Sequence, residues 1–280
     1  MPSSRTSILS VLWLQGRYDH HLNQRGDVRC NQIDRDACNH LTTHVTLRSH
    51  IDQPDEYTKM ARFTTTTTQR QEFVRNIMAT YNRATPEEKV AGAGWYKDAW
   101  SACSAMSKRF DVPLAVVTGV VAALSPNNRW ERNLGDAERL ISAYLNGDDV
   151  LSVSVSTYNA MRAKGWKICA LAAEQHQNAT DDQLNKAILE ELRGQKIKSF
   201  YSNIMGLPGC TIDGHARNIA YNERLALTGG KFTLGKVEYV VLQEMYQEAA
   251  AIVSADLGVE LQASVMQAIT WVTWRRIHKI

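Results

Sequence analysis

Helix start signals, and apolar residues that recur with a 3.6-residue period, run from Gln69 to the C-terminus of this 280-residue chain. Alternating apolar and polar residues, which would indicate β-strands, are missing from the same stretch. Thr85-Pro86-Glu87-Glu88 has the pattern of a capping box with proline at the first helical position, and Thr180 to Gln183 repeats the box. We therefore predict an all-α domain over residues 69–280, with about nine or ten helices joined by short links.

The apolar residues also predict which helix faces are buried. Residues 113–124 are small and apolar on every side, which is typical of a central helix packed all round. Two other segments have one apolar stripe each, and we expect each stripe to face a core. The first stripe is Leu184, Ile188 and Leu192, and the second is Leu261, Val265, Ile269 and Val272.

Residues 1–68 differ from the rest because they lack apolar periodicity and end in five consecutive threonines at 64–68. A run of this kind is typical of a solvated linker. We interpret 1–68 as a disordered or non-native N-terminal extension and linker, with Met60 as an alternative natural start. Four residues of this segment could suggest a metal site, namely Cys30, Cys38, His40 and His44. Their spacing is shorter than zinc fingers need, so no zinc is expected here.

Composition limits the cellular setting more than the chemistry. No apolar run approaches the roughly 18 to 20 residues of a membrane span, and no secretory signal pattern is present. The five scattered cysteines do not form a disulfide framework, so we expect reduced thiols and a cytoplasmic protein. The net charge of +3 permits nucleic-acid binding without arguing for it.

One segment combines residues that can perform chemistry. Gly194 precedes Lys196 by two residues at a predicted helix start, where free backbone N–H groups can bind a phosphate. Asp213 follows seventeen residues later, about the distance needed to run up one helix and return through the glycines at 206 and 209. The spacing therefore predicts that Lys196 and Asp213 face one cleft.

These motifs resemble the helix-hairpin-helix DNA glycosylase (HhH-GPD) superfamily, particularly its endonuclease III-like members. Gly194-Gln195-Lys196 matches the family's hairpin, and Ile212 to Ala216 matches its Val-Asp-Thr-His-Val segment. Residues 123–129, Ala-Leu-Ser-Pro-Asn-Asn-Arg, look like the family's Leu-Ser-Ala-Gln segment, whose polar tip fills the gap left by an extruded nucleotide. The resemblance covers about residue 73 to the C-terminus.

The resemblance implies roles for individual residues. Lys196 would be the nucleophile and Asp213 its catalytic partner. DNA contacts would come from seven further residues: Gly194, Gln195, Lys198, Asn127, Asn128, Arg129 and His215.

The sequence departs from the family pattern at three positions. Leu192 stands where the first hairpin glycine is expected, Asn127 replaces the wedge glutamine, and Gly214 replaces the threonine after the aspartate. The four-cysteine run that holds an iron–sulfur cluster in many relatives is missing as well, so no cofactor is expected.

Three functions follow as hypotheses. The first is a DNA N-glycosylase with AP-lyase activity on a damaged or modified base, acting as a monomer with DNA as partner and no membrane. The second is a phage-type hypermodification enzyme in the host cytoplasm, similar to the α-glutamyl/putrescinyl-thymine pyrophosphorylases, which join an amine to an activated pyrimidine in DNA. The third is a non-catalytic DNA-binding module on the same scaffold.

Each candidate residue also has an ordinary structural interpretation. Lys196 can be a solvated lysine, and Asp213 can be a helix cap. His215 can be a packed or capping histidine, and residues 127–129 can cap a helix that begins near Trp130. Five aromatic residues can belong to the core or stack on a base: Trp95, Trp100, Trp130, Trp166 and Tyr201.

Overall fold

The computed structural model describes residues 63–175, 180–227 and 234–280. Within these ranges the chain forms ten α-helices, one short 3-10 helix at Val150–Ser152 and no strand. The predicted all-α class is therefore confirmed. In chain order the helices are α1 Thr67–Asn82, α2 Pro86–Phe110, α3 Leu114–Leu124, α4 Trp130–Asn146, α5 Asn159–Gln175, α6 Asp181–Leu192, α7 Gln195–Ile204, α8 Gly214–Tyr221, α9 Lys236–Leu257 and α10 Ala263–His278.

Side-chain caps set the first residues of several helices. Both predicted capping boxes form, at the start of α2 on Thr85 and at the start of α6 on Thr180. Helix α1 begins at Thr67 because the Thr66 hydroxyl accepts a hydrogen bond from the N–H of Gln69 at 3.1 Å. The last threonines of the run thus belong to this helix, which starts two residues before the predicted domain boundary. The four Cys and His residues between 30 and 44, and Met60, lie outside the described residues.

The buried side chains form two clusters. The α3 cluster contains side chains from all five helices α3 through α7 and from the second half of α2. The α9 cluster contains side chains from α1, α8, α9 and α10. Residues 115–124 of α3 are all buried, which confirms the predicted central helix. The stripe on α6 is buried as predicted, and three members of the second stripe are buried while Val272 is half-buried.

Helix α2 connects the two clusters. Ala99, Cys103 and Met106 pack in the α3 cluster, whereas the N-terminal half of α2 lies against α10. This helix contact is close, since a Cβ atom added at Gly92 would lie 2.5 Å from the Cα atom of Ile269. The glycine at position 92 therefore lets the two helix backbones approach, and this contact fixes how the clusters are docked.

None of the described helices is long and apolar enough to span a membrane. The three cysteines in the described part of the chain, Cys103, Cys169 and Cys210, are buried and unpaired. Burial raises the pKa of the Cys103 thiol to about 11. These cysteines behave as core residues rather than as reactive thiols.

Candidate functional site between the two clusters

A cavity of about 510 Å³ lies where the α3 cluster meets the α9 cluster. Side chains from α2, α4 and α7 line it together with side chains from α8, α10 and the segment before α8. Pockets of roughly 300–1,000 Å³ hold small-molecule ligands, so this cavity is large enough for a nucleobase. It is the candidate functional site.

Four aromatic side chains form one part of the cavity wall. The ring centroid of Trp95 lies 4.9 Å from Tyr96, 5.3 Å from Trp130 and 5.8 Å from Phe200. Trp95 and Trp130, predicted to serve either the core or a stacked base, both pack against the α3 cluster and line the cavity, so stacking on a base stays a prediction. Phe200 was not among the predicted residues, and only its place on the same helix as Lys196 could have indicated it.

The other predicted aromatic residues are not in the cavity wall. Trp100 is 44% exposed on the outside of α2, and Tyr201 is fully buried in the α3 cluster. Trp166 packs against Tyr144 with ring centroids 5.1 Å apart. These three residues have structural or surface positions.

Lys196 lies in the first turn of α7 and lines the cavity. Its side chain is exposed, and its ammonium group makes no hydrogen bond or ion pair within the described part of the chain. Asp213 lines the same cavity from the start of α8. The structure thus brings together the two residues that the sequence predicts to share a cleft.

Asp213 is held by two hydrogen bonds. As the N-cap of α8, its Oδ1 accepts from the N–H of Ala216 at 2.7 Å. Its Oδ2 accepts from the indole N–H of Trp271 on α10 at 3.1 Å. The predicted cap is confirmed, and the cap leaves the carboxylate in the cavity wall, so a structural and a chemical role are compatible. Trp271 was missed because nothing local in the sequence connects it with Asp213.

The segment before α8 is braced from two helices. Thr211 donates its hydroxyl to Oδ1 of Asn203 on α7 at 2.8 Å. From α9, Gln243 donates to the carbonyl of Cys210 at 2.6 Å, and the Tyr239 hydroxyl accepts from the N–H of Ile212 at 3.1 Å. Because of these bonds, Asp213 is positioned before any ligand binds.

His215 lies in the wall beside Asp213, with its ring centroid 6.4 Å from that of Trp271. Burial lowers the pKa of His215 below its ordinary value, and the positive charges of Arg275 and Lys196 lower it further against the opposing effect of Asp213. The imidazole is therefore neutral at pH 7. Its Nδ1 is buried and has no hydrogen-bond partner in the described part of the chain.

A second polar pair lies deeper in the wall. The Tyr96 hydroxyl donates to Oε1 of Gln267 at 3.1 Å, and Gln267 on α10 is only 5% exposed. Burial raises the pKa of Tyr96 far above its ordinary value, so the hydroxyl keeps its proton. Gln267 was not predicted from the sequence, although a glutamine inside the apolar run of α10 is an unusual feature that could have indicated it.

The hairpin between α6 and α7 differs from the predicted phosphate site in one respect. The N–H of Gly194 was expected to be free, but it donates to the carbonyl of Leu192 at 2.7 Å. The N–H groups of the first turn of α7, residues 195–197, have no hydrogen-bond partner within the described residues. Leu192 is fully buried, which explains why position 192 is a leucine and not the glycine of the family pattern. The next residue, Arg193, adopts a φ of 58°.

Lys198 and Gln195, like Gly194 and Asn127, lie outside the cavity wall, and their contacts with DNA stay predictions. Lys198 is not in the cavity wall and lies near Lys164, whose ammonium group donates to the carbonyls of Glu191 and Leu192 at 2.9 and 2.8 Å. Burial and neighbouring cations, including Lys198, lower the pKa of Lys164. Gln195 donates to the carbonyl of Lys236 at 3.4 Å and is also outside the wall.

The Asn127 to Arg129 segment divides between the wall and the surface. Asn128 and Arg129 line the cavity, whereas Asn127, with a φ of 53°, donates to the hydroxyl of the exposed Tyr158. Arg129 is the N-cap residue of α4 but makes no side-chain capping bond. The predicted helix start near Trp130 is therefore confirmed with Arg129 as its N-cap residue, although the cap is made by the backbone carbonyl of Arg129 and not by a side chain.

Gly214, which replaces the family's threonine, has a packing explanation. A Cβ atom at this position would overlap the side chain of Leu227. Within the described residues, no three His, Cys, Asp or Glu side chains converge to form a metal site.

A family model matches residues 59–278, more than three-quarters of the chain, and is described as a family of unknown function, DUF7178. The chain belongs to this family. The DUF7178 match includes every helix described above and every residue of the cavity wall except Ile280. Comparisons with curated proteins and with solved structures gave no match.

Proposed function

We propose that the cavity receives a base turned out of DNA, and that the chain cleaves the N-glycosidic bond of that base with associated AP-lyase activity. The proposal is carried by Lys196 and Asp213, which lie on different helical clusters yet line one cavity. The aromatic wall supports it, because a base that has left the DNA stack gains stacking contacts with such rings.

The two residues suit the steps of this reaction. Departure of the base builds positive charge on the sugar, which the Asp213 carboxylate stabilises from a fixed position. The Lys196 amine, once neutral, forms a bond to C1′ as the bond from C1′ to the base nitrogen breaks, and the base leaves with that electron pair and gains a proton. Opening of the sugar ring then gives an imine between Lys196 and the sugar, from which the lyase step proceeds.

A second candidate function is base hypermodification, in which an amine joins an activated pyrimidine while the glycosidic bond stays intact. One observation favours it: the Lys196 side chain is exposed, whereas a lysine nucleophile is usually activated by removal from water. The hypermodification reaction needs no lysine nucleophile. The volume of about 510 Å³ also leaves space for a second molecule beside a pyrimidine ring.

Product analysis separates these functions. The protein is incubated with duplexes that carry one 5-hydroxymethylpyrimidine or one uracil, with and without an added primary amine, and the DNA is examined by mass spectrometry. An abasic or cleaved strand supports the glycosylase, and a heavier base supports hypermodification. Binding without any product indicates a non-catalytic DNA-binding module.

The salt dependence of binding tests DNA as the partner. Because the net charge is only +3, we expect phosphate contacts to be few, and affinity to fall with salt as for about three to five phosphates. A titration in which affinity is independent of salt would exclude DNA.

A further inference from the structure

The C-terminal turn of α3 ends at the cavity, and its carbonyl groups are already paired with side chains. Each partner is a residue of the cavity wall. We call these three residues the α3 cap, and their donor groups bond as follows: Ser125 to Ala122 at 2.9 Å, Asn128 to Leu124 at 3.3 Å and Asn133 to Val121 at 3.0 Å.

Donor groups of the α3 cap bond to α3, whereas two of its acceptors stay unpaired within the described residues. Asn133 is 2% exposed, and its Oδ1 has no hydrogen-bond partner in the described part of the chain. Oδ1 of Asn128 is also buried and unpaired there, while its amide nitrogen makes a second bond, to Asp136 at 2.9 Å. Two residues of the cavity wall therefore carry a buried amide oxygen that lacks a donor within the described residues.

The orientation of both amides follows from their partners. A main-chain carbonyl can only accept a hydrogen bond, so the nitrogen of each amide must face α3 and the oxygen must face away. Rotation of either amide would bring two oxygens together. A buried acceptor left without a donor loses the hydrogen bond that water gives it in the unfolded chain, and a ligand that supplies the donor recovers this loss.

We infer that the α3 cap is a subsite for an amino group of the ligand. An amino group offers at least two N–H donors, which matches two unpaired oxygens. Helix C-termini also favour positive charge, and the last turn of α3 contains no basic residue. A ring carbonyl or a phosphate oxygen is repelled by the same acceptors.

The amino group can belong to one of two molecules. It can be the exocyclic amine of a cytosine-type or adenine-type base, or it can be a separate alkylamine that binds beside the base. The inference rests on the proposed function only in taking a base or its amine partner as the occupant of the cavity.

Binding to the unmodified full-length protein tests this inference through the fluorescence of the wall tryptophans. The probes are 2′-deoxycytidine, N4,N4-dimethyl-2′-deoxycytidine, thymidine and ethylammonium chloride. If the base supplies the amine, 2′-deoxycytidine binds at least about tenfold more tightly than its dimethyl derivative and thymidine, because a site built for N–H donors rejects ligands that lack them. If a separate amine is the ligand, ethylammonium binds and the nucleosides show no such preference.

Two results would overturn the inference. One is binding of the dimethyl derivative or thymidine as tightly as 2′-deoxycytidine, together with no binding of ethylammonium. The other is no binding of any of the four probes. Chemistry on duplex DNA combined with either result refutes the α3 cap alone, whereas amine-selective binding without any chemistry on DNA refutes the proposed function alone.

Asn133→Ala has a matched control elsewhere in the chain. Asn218 is also 2% exposed, donates to a main-chain carbonyl, that of Leu225, at 3.0 Å, and has an unpaired Oδ1, but it lies outside the cavity wall. We expect Asn133→Ala and Asn218→Ala to lower the melting temperature alike. Only Asn133→Ala should weaken binding of the amine-bearing probe, by about tenfold. Equal affinity of the two variants would reduce Asn133 to a structural role and overturn the inference.

Discussion

The two sides of the cavity differ in how firmly their reactive groups are held. On the side of the α9 cluster, Asp213 accepts two hydrogen bonds, and the segment before it is braced by α7 and α9. On the side of the α3 cluster, Lys196 projects from the first turn of α7 with no partner among the described residues. A fixed carboxylate thus faces a free amine. The catalysis that we propose for this pair then depends on the docking of the two clusters as well as on either residue.

The largest expected effect comes from removing the fixed charge. Asp213→Asn should lower the single-turnover rate of product formation by about two to four orders of magnitude, because the amide cannot stabilise positive charge on the sugar. The fold should survive, since asparagine is also a good N-cap. Trp271→Phe is the control: it removes the second hydrogen bond to Asp213 and leaves the charge. A rate for Asp213→Asn near that of the wild type would show that this carboxylate has no catalytic role.

The docking of the clusters can be disturbed at the α2–α10 contact. Gly92→Ala should destabilise the fold by about 1–3 kcal/mol, because the new Cβ lies 2.5 Å from the backbone of Ile269. Gly94→Ala, two residues along the same helix, meets only Oδ2 of Asp98 at 3.6 Å and should stabilise the fold by about 0.5–1 kcal/mol. Urea unfolding measures both. Equal effects would mean that the contact does not constrain the docking.

Much of the fold could be predicted because its determinants are local. The boxes at Thr85 and Thr180 are defined by residues three apart, and the stripe that ends at Leu192 depends only on helical period. The first residue of α1 was placed two positions late because five threonines resemble a linker, although one of them, Thr66, caps the helix.

The site was harder to predict, because its wall joins elements far apart in the chain. Trp271 and Gln267 meet Asp213 and Tyr96 only through tertiary packing. Lys198 follows Lys196 by two residues, about 200° around a helix, so the spacing alone places Lys198 off the cavity wall, while its predicted contact with DNA stays a prediction. The sequence therefore predicts the shared cleft of Lys196 and Asp213 better than it predicts the groups that surround these two residues.

Backbone strain in the hairpin between α6 and α7, on the side of the α3 cluster, allows a test with a smaller expected effect. Arg193 has a φ of 58° and a ψ of −46°, a conformation that costs a residue with a Cβ on the order of 1–3 kcal/mol. Arg193→Gly should therefore raise the free energy of unfolding by about 1 kcal/mol in urea. A loss of stability would show that the arginine side chain contributes more than its backbone costs.

We expect His215 to make the free energy of unfolding depend on pH, with a still smaller effect. Its folded pKa lies below the ordinary value of 6.5, so the unfolded chain binds more protons between these two values. Stability should accordingly fall as the pH drops below about 6.5, and less so in His215→Gln, which keeps His278 and all other titrating groups. Unfolding measured from pH 7 to pH 5 gives the difference between the two proteins. Parallel curves would contradict a buried neutral imidazole.

Borohydride trapping tests the central claim most directly, because reduction makes an imine between Lys196 and the sugar permanent. With a processed duplex, the wild-type protein and Lys198→Gln should both form a covalent protein–DNA adduct, since Lys198 lies outside the cavity wall. Lys196→Gln should form none while binding the same DNA nearly as well as the wild type. An adduct that persists in Lys196→Gln, or an altered base that forms in the wild type with no adduct, would contradict the account.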